Sequence, residues 1–341
     1  MRRGFDLDAA ARTIPLRMPR GWSPPYPSWE SEFADGVHEI AMILFGVQHL
    51  PEDRDIARDL AAAFVASAGG SAAAADLSFG RSHAGRELAL ATIYFTSKTD
   101  GQLFLEKNTV EMLWRKHTAP GLSYGVFREV YNIPLDRFET LHSGPEHLVG
   151  AAKARAGLTE TALHAYWGSM RDRIPAAAVD PFLEAGAIEI IERSPSRILL
   201  RPGENAAVIR SGQDYRAAAG TERDEYLRNV EPQLSRGMAY LQESGREIGC
   251  LDCRYMRLVD AGRHDLDHTY GFAVFSSLAA LEAWAEHHPT HLAIFNAFLE
   301  FAPRYGPSMR SRYWHEVSVL RAEDTWMEYA NCVPGTGLMP T

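Results

Sequence analysis

Two stretches of this chain repeat one another at long range, and that limits what it can fold into. With Phe95 set against Phe275, a shift of 180 residues, FLEKNTVEML (104–113) falls on WAEHHPTHLA (284–293). Further on, FREV (127–130) falls on WHEV (314–317), and RFETL (137–141) on WMEYA (326–330). Short matches, in one order and on like elements, point to an internal duplication of one structural unit.

Hydrophobic periodicity gives the unit its shape. In the first half, strands are expected at 38–48, 87–97 and 123–132, with helices over about 51–67 and 101–117. In the second half, strands are expected at 205–212, 249–260, 267–277 and 311–320, with helices over 220–243 and 278–301. Both halves read β-α-β-β-α-β, the split-βαβ arrangement of ferredoxin-like units, so the fold class is α+β. The expected boundaries are a Pro-rich arm (1–35), a first half (36–145), a connector carrying YWGSMRDR (146–204), and a second half with its tail (205–341). The arm contains PRGWSPPYPSWE; its prolines fix an extended path and its aromatics give it something to bury, against the body or a partner subunit.

Composition removes several kinds of function. A net charge of −9 with no long Lys/Arg run argues against nucleic acid or a membrane surface as partner. No apolar stretch approaches the roughly 20 residues of a spanning helix, and MRRGFDLDAAARTIPLRMPRG has no apolar core of a secretory signal. Only Cys250, Cys253 and Cys332 occur, which suits a reduced, cytoplasmic protein. In CLDCR, Arg254 stands where covalent haem attachment wants histidine, and strand alternation is expected to put the two thiols on opposite faces.

EHHPTHLAIF (286–295) places His287, His288 and His291 around Pro289. Proline suits a first helical position, so a break is expected at His287–His288, with a new helix from Pro289 and His291 in its first turn. Ile294, Phe295, Phe298, Leu299 and Phe301 then continue one apolar stripe below that imidazole. His287 and His291 have the i,i+4 spacing of a zinc pair, but Pro289 breaks the helix between them and no HExxH glutamate is present. In RYWHEVSVL, alternation groups Tyr313, His315, Val317 and Val319 on one face and Trp314, Glu316 and Ser318 on the other. The first half carries Glu111 and Arg128 at the places of His291 and His315. These residues could be a ligand and an acid–base group on one cavity, or two core imidazoles. Arg171, Asp172 and Arg173, and Ser211-Gly212 at a strand end, could equally serve a buried site, a surface ion pair or a turn.

Taken together and in order, YWGSMRDR, IRSGQDY, HPTHLAIF, WHEVSV and NCVPGTGLM resemble the haem-containing aldoxime dehydratases, the nitrile-forming family that includes phenylacetaldoxime dehydratase-like enzymes. The likeness runs from PPYPSWE to the C-terminus. It implies a dimeric α+β barrel-type fold of two ferredoxin-like halves flanked by helices, a non-covalent haem b that is ferrous when active, and a homodimer. The implied reaction dehydrates an aldoxime, R–CH=N–OH, to the nitrile and water. By resemblance, His291 is the proximal iron ligand, His315 the distal catalytic histidine, and Ser211 a hydroxyl that bonds the substrate. Arg173 is then a distal-side arginine, Glu139 a carboxylate near the site, and Phe298 a wall of the substrate pocket. The oxime nitrogen would bind iron while His315 acts as general acid and then base. Ser28 stands where some members carry a larger apolar residue, which would alter the pocket mouth. The competing expectations are a haem sensor or carrier without turnover, a zinc hydrolase, and a barrel with no cofactor.

Overall fold

Ser97 and Ser277, 180 residues apart, do the same work. Each ends a strand and accepts a hydrogen bond on its hydroxyl from the backbone N–H three residues on, at 3.0 Å from Asp100 and 3.2 Å from Ala280. The computed structural model describes residues 12–340. Its first half runs β1 (Trp29–Glu32), β2 (Glu39–His49), α1 (Arg54–Ala68), β3 (Ala74–Arg81), β4 (Glu87–Phe95), α2 (Lys98–Leu105), α3 (Asn108–His117), β5 (Gly125–Pro134) and β6 (Phe138–His142). A connector holds β7 (Gly157–Glu160), α4 (Ser169–Arg173), β8 (Glu189–Arg193) and β9 (Arg197–Arg201). The second half runs β10 (Ala207–Asp214), α5 (Thr221–Glu225), α6 (Glu231–Ser244), β11 (Cys250–Val259), β12 (Asp265–Phe275), α7 (Leu278–His287), α8 (Pro289–Tyr305), β13 (Arg312–Val319) and β14 (Thr325–Ala330).

These strands form one sheet, in the order β7-β1-β6-β13-β10-β12-β11-β3-β4-β2-β5-β14-β9-β8. Neighbours are antiparallel, and the orders β3-β4-β2-β5 and β11-β12-β10-β13 mirror each other across the β3–β11 seam. The outer strands are exchanged. β6 leaves the first half to pair with β13, and β14 leaves the second to pair with β5. Only Leu135–Arg137 joins β5 to β6, although the two lie far apart in the strand order. Three residues span about 10 Å at most, so the sheet must curl until its ends approach. Its inner face holds one core built by both halves, including Met42, Leu90, Tyr94, Tyr131, Phe272 and Trp314. On the outer face, α1 to α3 cover the first half through Phe64, Phe104 and Trp114, and α6 and α7 cover the second through Leu234, Met238 and Leu281.

Several expectations change. β3 carries no sequence signal because its inward positions include Asp76 and Ser78, which pair inside the core with Arg210 and Tyr270. The helix expected over 101–117 is two, broken at Glu106–Lys107, the counterpart of the His287–His288 break but without a proline to announce it. The helix expected over 220–243 is interrupted by a π turn, Tyr226–Val230. Cys250 and Cys253 do not face opposite ways: a register shift between Cys250 and Asp252 turns both into one apolar cluster. The first eleven residues of the arm lie outside the described residues. From Thr13 the arm wraps the body: Thr13 and Ile14 donate to the Ala178 carbonyl, and Trp22 Nε1 donates to that of His164. Among the described residues, no helix is long and apolar enough to cross a membrane.

Three buried histidines tie this fold to pH. Burial holds His142 and His164 at about 4 and lowers His268 as well. The folded chain therefore keeps these rings neutral, whereas the unfolded chain takes up protons near pH 6.5, so stability is lost as pH falls from there towards 4. The urea midpoint is expected to drop steeply between pH 7 and 4.5, corresponding to about 3 kcal/mol or more. A midpoint that stays level over that range would contradict this account.

Candidate functional site

The register of two strands brings the first pair of groups together. Ser211 on β10 lies directly opposite His315 on β13, so both side chains leave the same face about 5 Å apart. On the other side of Ser211 stands Gly271 of β12, where a Cβ would sit 2.7 Å from Met238 Sδ; α6 thus settles closely over this row. Leu141 of the exchanged strand β6 is opposite His315, and Glu139 follows two residues earlier on the same face.

Arg173, at the end of α4, organises the group. Its side chain and that of Glu139 are both fully buried, with Nε donating to Oε2 at 2.8 Å. Nη2 lies 2.8 Å from His315 Nε2, and Nη1 donates to the Leu163 carbonyl at 2.5 Å. A guanidinium only donates, so His315 Nε2 is the acceptor and a neutral ring carries its proton on Nδ1. Glu139 Oε1 is 3.1 Å from the same Nε2 but poorly aligned, and is left without a hydrogen bond. Burial would raise the Glu139 carboxyl, yet the Arg173 guanidinium beside it holds it well below the usual carboxylate range. The rest of MRDR works elsewhere: Arg171 forks onto Glu282 of α7, and Asp172 accepts from the Arg17 and Met18 N–H groups, anchoring the arm.

α8 faces this row. It starts at Pro289 as the sequence predicts, with His288 Nδ1 accepting from the Thr290 N–H and His287 left 73% exposed. His291 sits between Trp284 and Trp167, with ring centroids at 4.7 and 6.0 Å. Burial pushes its ring down to about 4, and its Nδ1 is buried with no partner. The imidazole is therefore neutral, the form that ligates metals. The apolar stripe below it is largely open. Of its members only Phe301 is buried, and Leu299 is 44% exposed, because α8 leans chiefly on α6 and α7 rather than on the sheet. Phe298, on the same stripe as His291, meets Tyr313 edge-on at 4.8 Å, and Tyr313 shares its face of β13 with His315. The helix face bearing His291 and the sheet face bearing His315 and Ser211 thus line one apolar slot. Among the described residues no group of three or more His, Cys, Asp or Glu is placed to hold a metal ion.

One neighbour, His164, carried no signal in the sequence. His164 is fully buried, its ring against Tyr26 at 5.2 Å and its Nδ1 3.5 Å from Ser28 Oγ. Ser28 is itself buried there. Trp167, inside the YWGSMRDR motif, closes the slot against Phe295 at 4.8 Å. The duplicated position in the first half is filled: Arg128 lies between Trp114 and Trp326 and pairs with Glu328 at 2.7 Å.

One neutral imidazole with an unmet nitrogen, set in an aromatic slot, fits a porphyrin with a single protein ligand; the arginine-tethered imidazole and serine opposite provide a polar face for a small ligand. Fold and site together point to the class of haem enzymes. A family model described as haem-containing dehydratase matches residues 43–338, and the chain belongs to that family. It is 34% identical over 337 residues to an aliphatic aldoxime dehydratase of Rhodococcus globerulus, covering 96% of this chain and 94% of that one. It is 29% identical to a phenylacetaldoxime dehydratase of Bacillus sp. (strain OxB-1), covering 95% and 93%. A crystal structure of an aldoxime dehydratase with butyraldoxime superposes with a TM-score of 0.90 at 33% identity, covering 96% of this chain and 92% of that one.

Proposed function

We propose that this chain is a haem-dependent lyase that dehydrates aldoximes, R–CH=N–OH, to nitriles and water. The observation that carries the reading is the convergence of Arg173, Glu139, His315 and Ser211 on one face, opposite the helix that bears His291. A haem sensor or carrier would need His291 but not this set. His291 would hold haem b, with Trp167 and the α8 stripe as its apolar wall. What ferrous haem supplies when bound is an electron-rich coordination position for the oxime nitrogen.

The chain's own residues handle protons and position. His315 gives a proton to the departing hydroxyl and removes one from the oxime carbon, so hydroxyl and hydrogen leave as water with no net redox change. Ser211, side by side with His315, orients the hydroxyl. Arg173 holds the imidazole in place, and Glu139 cancels the cation next to it. Phe298 serves as pocket wall. The mirrored strand orders support reading 36–145 and 205–341 as ferredoxin-like halves of an α+β barrel, with 1–35 as arm and 146–204 as connector. Edge strand β8 exposes Ile190 and Ile191, which supports a homodimer, and three free cysteines suit the cytoplasm.

The test is direct. The haem-loaded protein, reduced anaerobically with dithionite, is incubated with an alkyl and an aryl aldoxime, and nitrile is measured by gas chromatography. Nitrile equal to the aldoxime consumed is expected from at least one. A protein that takes up no haemin, or takes it up and makes no nitrile from either, would overturn the reading.

A further inference from the structure

Arg173 is held from three directions, and one of them leads out of the site. Nε meets Glu139 and Nη2 meets His315, which stand on the paired strands β6 and β13. Nη1 donates instead to the carbonyl of Leu163, in the irregular stretch Thr161–Tyr166 between β7 and α4. A guanidinium is a rigid planar fork, so moving any one acceptor turns the whole group. The sheet ladder fixes two of the acceptors. The third has no ladder behind it.

The arm takes the place of that ladder. It runs antiparallel to residues 157–172: Trp29 is opposite Glu160, and the Ser28 carbonyl accepts from the Thr161 N–H at 3.0 Å. Trp22 Nε1 donates to the His164 carbonyl at 3.0 Å, and the Arg17 and Met18 N–H groups donate to Asp172 at 2.9 and 3.0 Å. Leu163 and His164 thus present consecutive carbonyls, one to Arg173 and the next to Trp22. The Trp22 ring also meets Tyr166 edge-on at 5.7 Å, and Tyr166 Oη donates to Asp172 at 2.8 Å. At Gly168, with φ +89°, a Cβ would run into the Arg17 side chain, so arm and connector are fitted to each other. Among the described residues, the hydrogen bonds tying Thr161–Tyr166 to the rest of the chain run to the arm, to Arg173 and to Asp172.

We propose that Trp22 is a positioning residue for Arg173, and through Arg173 for His315. By holding the His164 carbonyl it fixes the adjoining peptide, and with it the direction of the guanidinium. A small misplacement of a group that orients an acid–base residue costs rate more than binding. The proposal rests on the lyase reading of the same site.

The variants are Trp22→Phe, which keeps a ring and loses the donor, and Trp22→Ala, each made in the parent and in Arg173→Ala. With the haem-loaded parent, kcat is expected to fall about threefold in Trp22→Phe and about tenfold in Trp22→Ala, the range of one lost hydrogen bond. KM and the Soret absorbance per chain are expected to stay within about twofold. In Arg173→Ala the same changes are expected to leave kcat unaltered, because the residue they act through is gone. A second readout needs no turnover. The Nε proton of Arg173, followed by nitrogen-15 NMR in the ferrous protein under carbon monoxide, should exchange about tenfold faster in Trp22→Ala. Trp22→Phe carries both readouts if Trp22→Ala does not fold. A fall in kcat by the same factor with and without Arg173 would mean that Trp22 serves the fold alone, and the proposal is wrong. Unchanged kcat in the Trp22 variants overturns it as well. If the parent makes no nitrile, the lyase reading fails and the exchange rate decides alone: faster exchange sustains the positioning of Arg173, and equal exchange ends it.

Discussion

His291→Ala is expected to give a folded, colourless protein. The ring is held by contacts with Trp284 and Trp167 and leaves a nitrogen unmet, so its loss removes little that the fold depends on. It removes the single side chain of the slot's helix face that can ligate iron. The Soret absorbance per chain after haemin loading should fall close to background, and nitrile formation by more than about 100-fold, with far-UV circular dichroism unchanged. Added imidazole should restore part of the Soret band by standing in for the missing ring. A variant that kept the parent spectrum would place the iron ligand elsewhere.

His315→Ala should separate binding from chemistry. His315 is 24% exposed on the wall opposite His291, and on the proposed reading it is not an iron ligand, so haem loading is expected to match the parent. Nitrile formation should fall about 100- to 10,000-fold, the usual loss when a general acid–base group goes. The aldoxime should still perturb the visible spectrum of the reduced variant, because the groups lost are those that move protons. The partners left behind explain why the loss falls on rate. Arg173 keeps its bonds to Glu139 and the Leu163 carbonyl, and the slot keeps its shape. Equal activity in the variant would remove His315 from the reaction.

The sequence made some of this geometry readable and hid the rest for physical reasons. The break before Pro289 and the sidedness of RYWHEVSVL follow from local rules, and the structure has both. That Ser211 and His315 stand side by side depends on the register of β10 against β13, a pairing across about a hundred residues that no local pattern encodes. β3 was hidden because Asp76 and Ser78 point into the core, inverting the usual alternation. The three residues of Arg171-Asp172-Arg173 look alike in sequence; only burial and partners separate an anchor for α7, an anchor for the arm and a site residue. His164 is one more unremarked histidine until the arm is laid across it.

The exchange of β6 and β14 bears on how a single chain came to be able to hold one site. Glu139, which steadies Arg173 and His315, is lent by the first half to the second, and Glu328 is lent back to Arg128 in return. This is the topology of a domain-swapped pair joined by a linker. Two identical subunits swapped in this way would have to carry the same residues at both places, so that every change at one would be copied at the other. Fusion lifts that obligation. One place can keep an imidazole and an open slot while its twin is sealed by Arg128 between Trp114 and Trp326, serving as a rigid counterweight rather than a second centre.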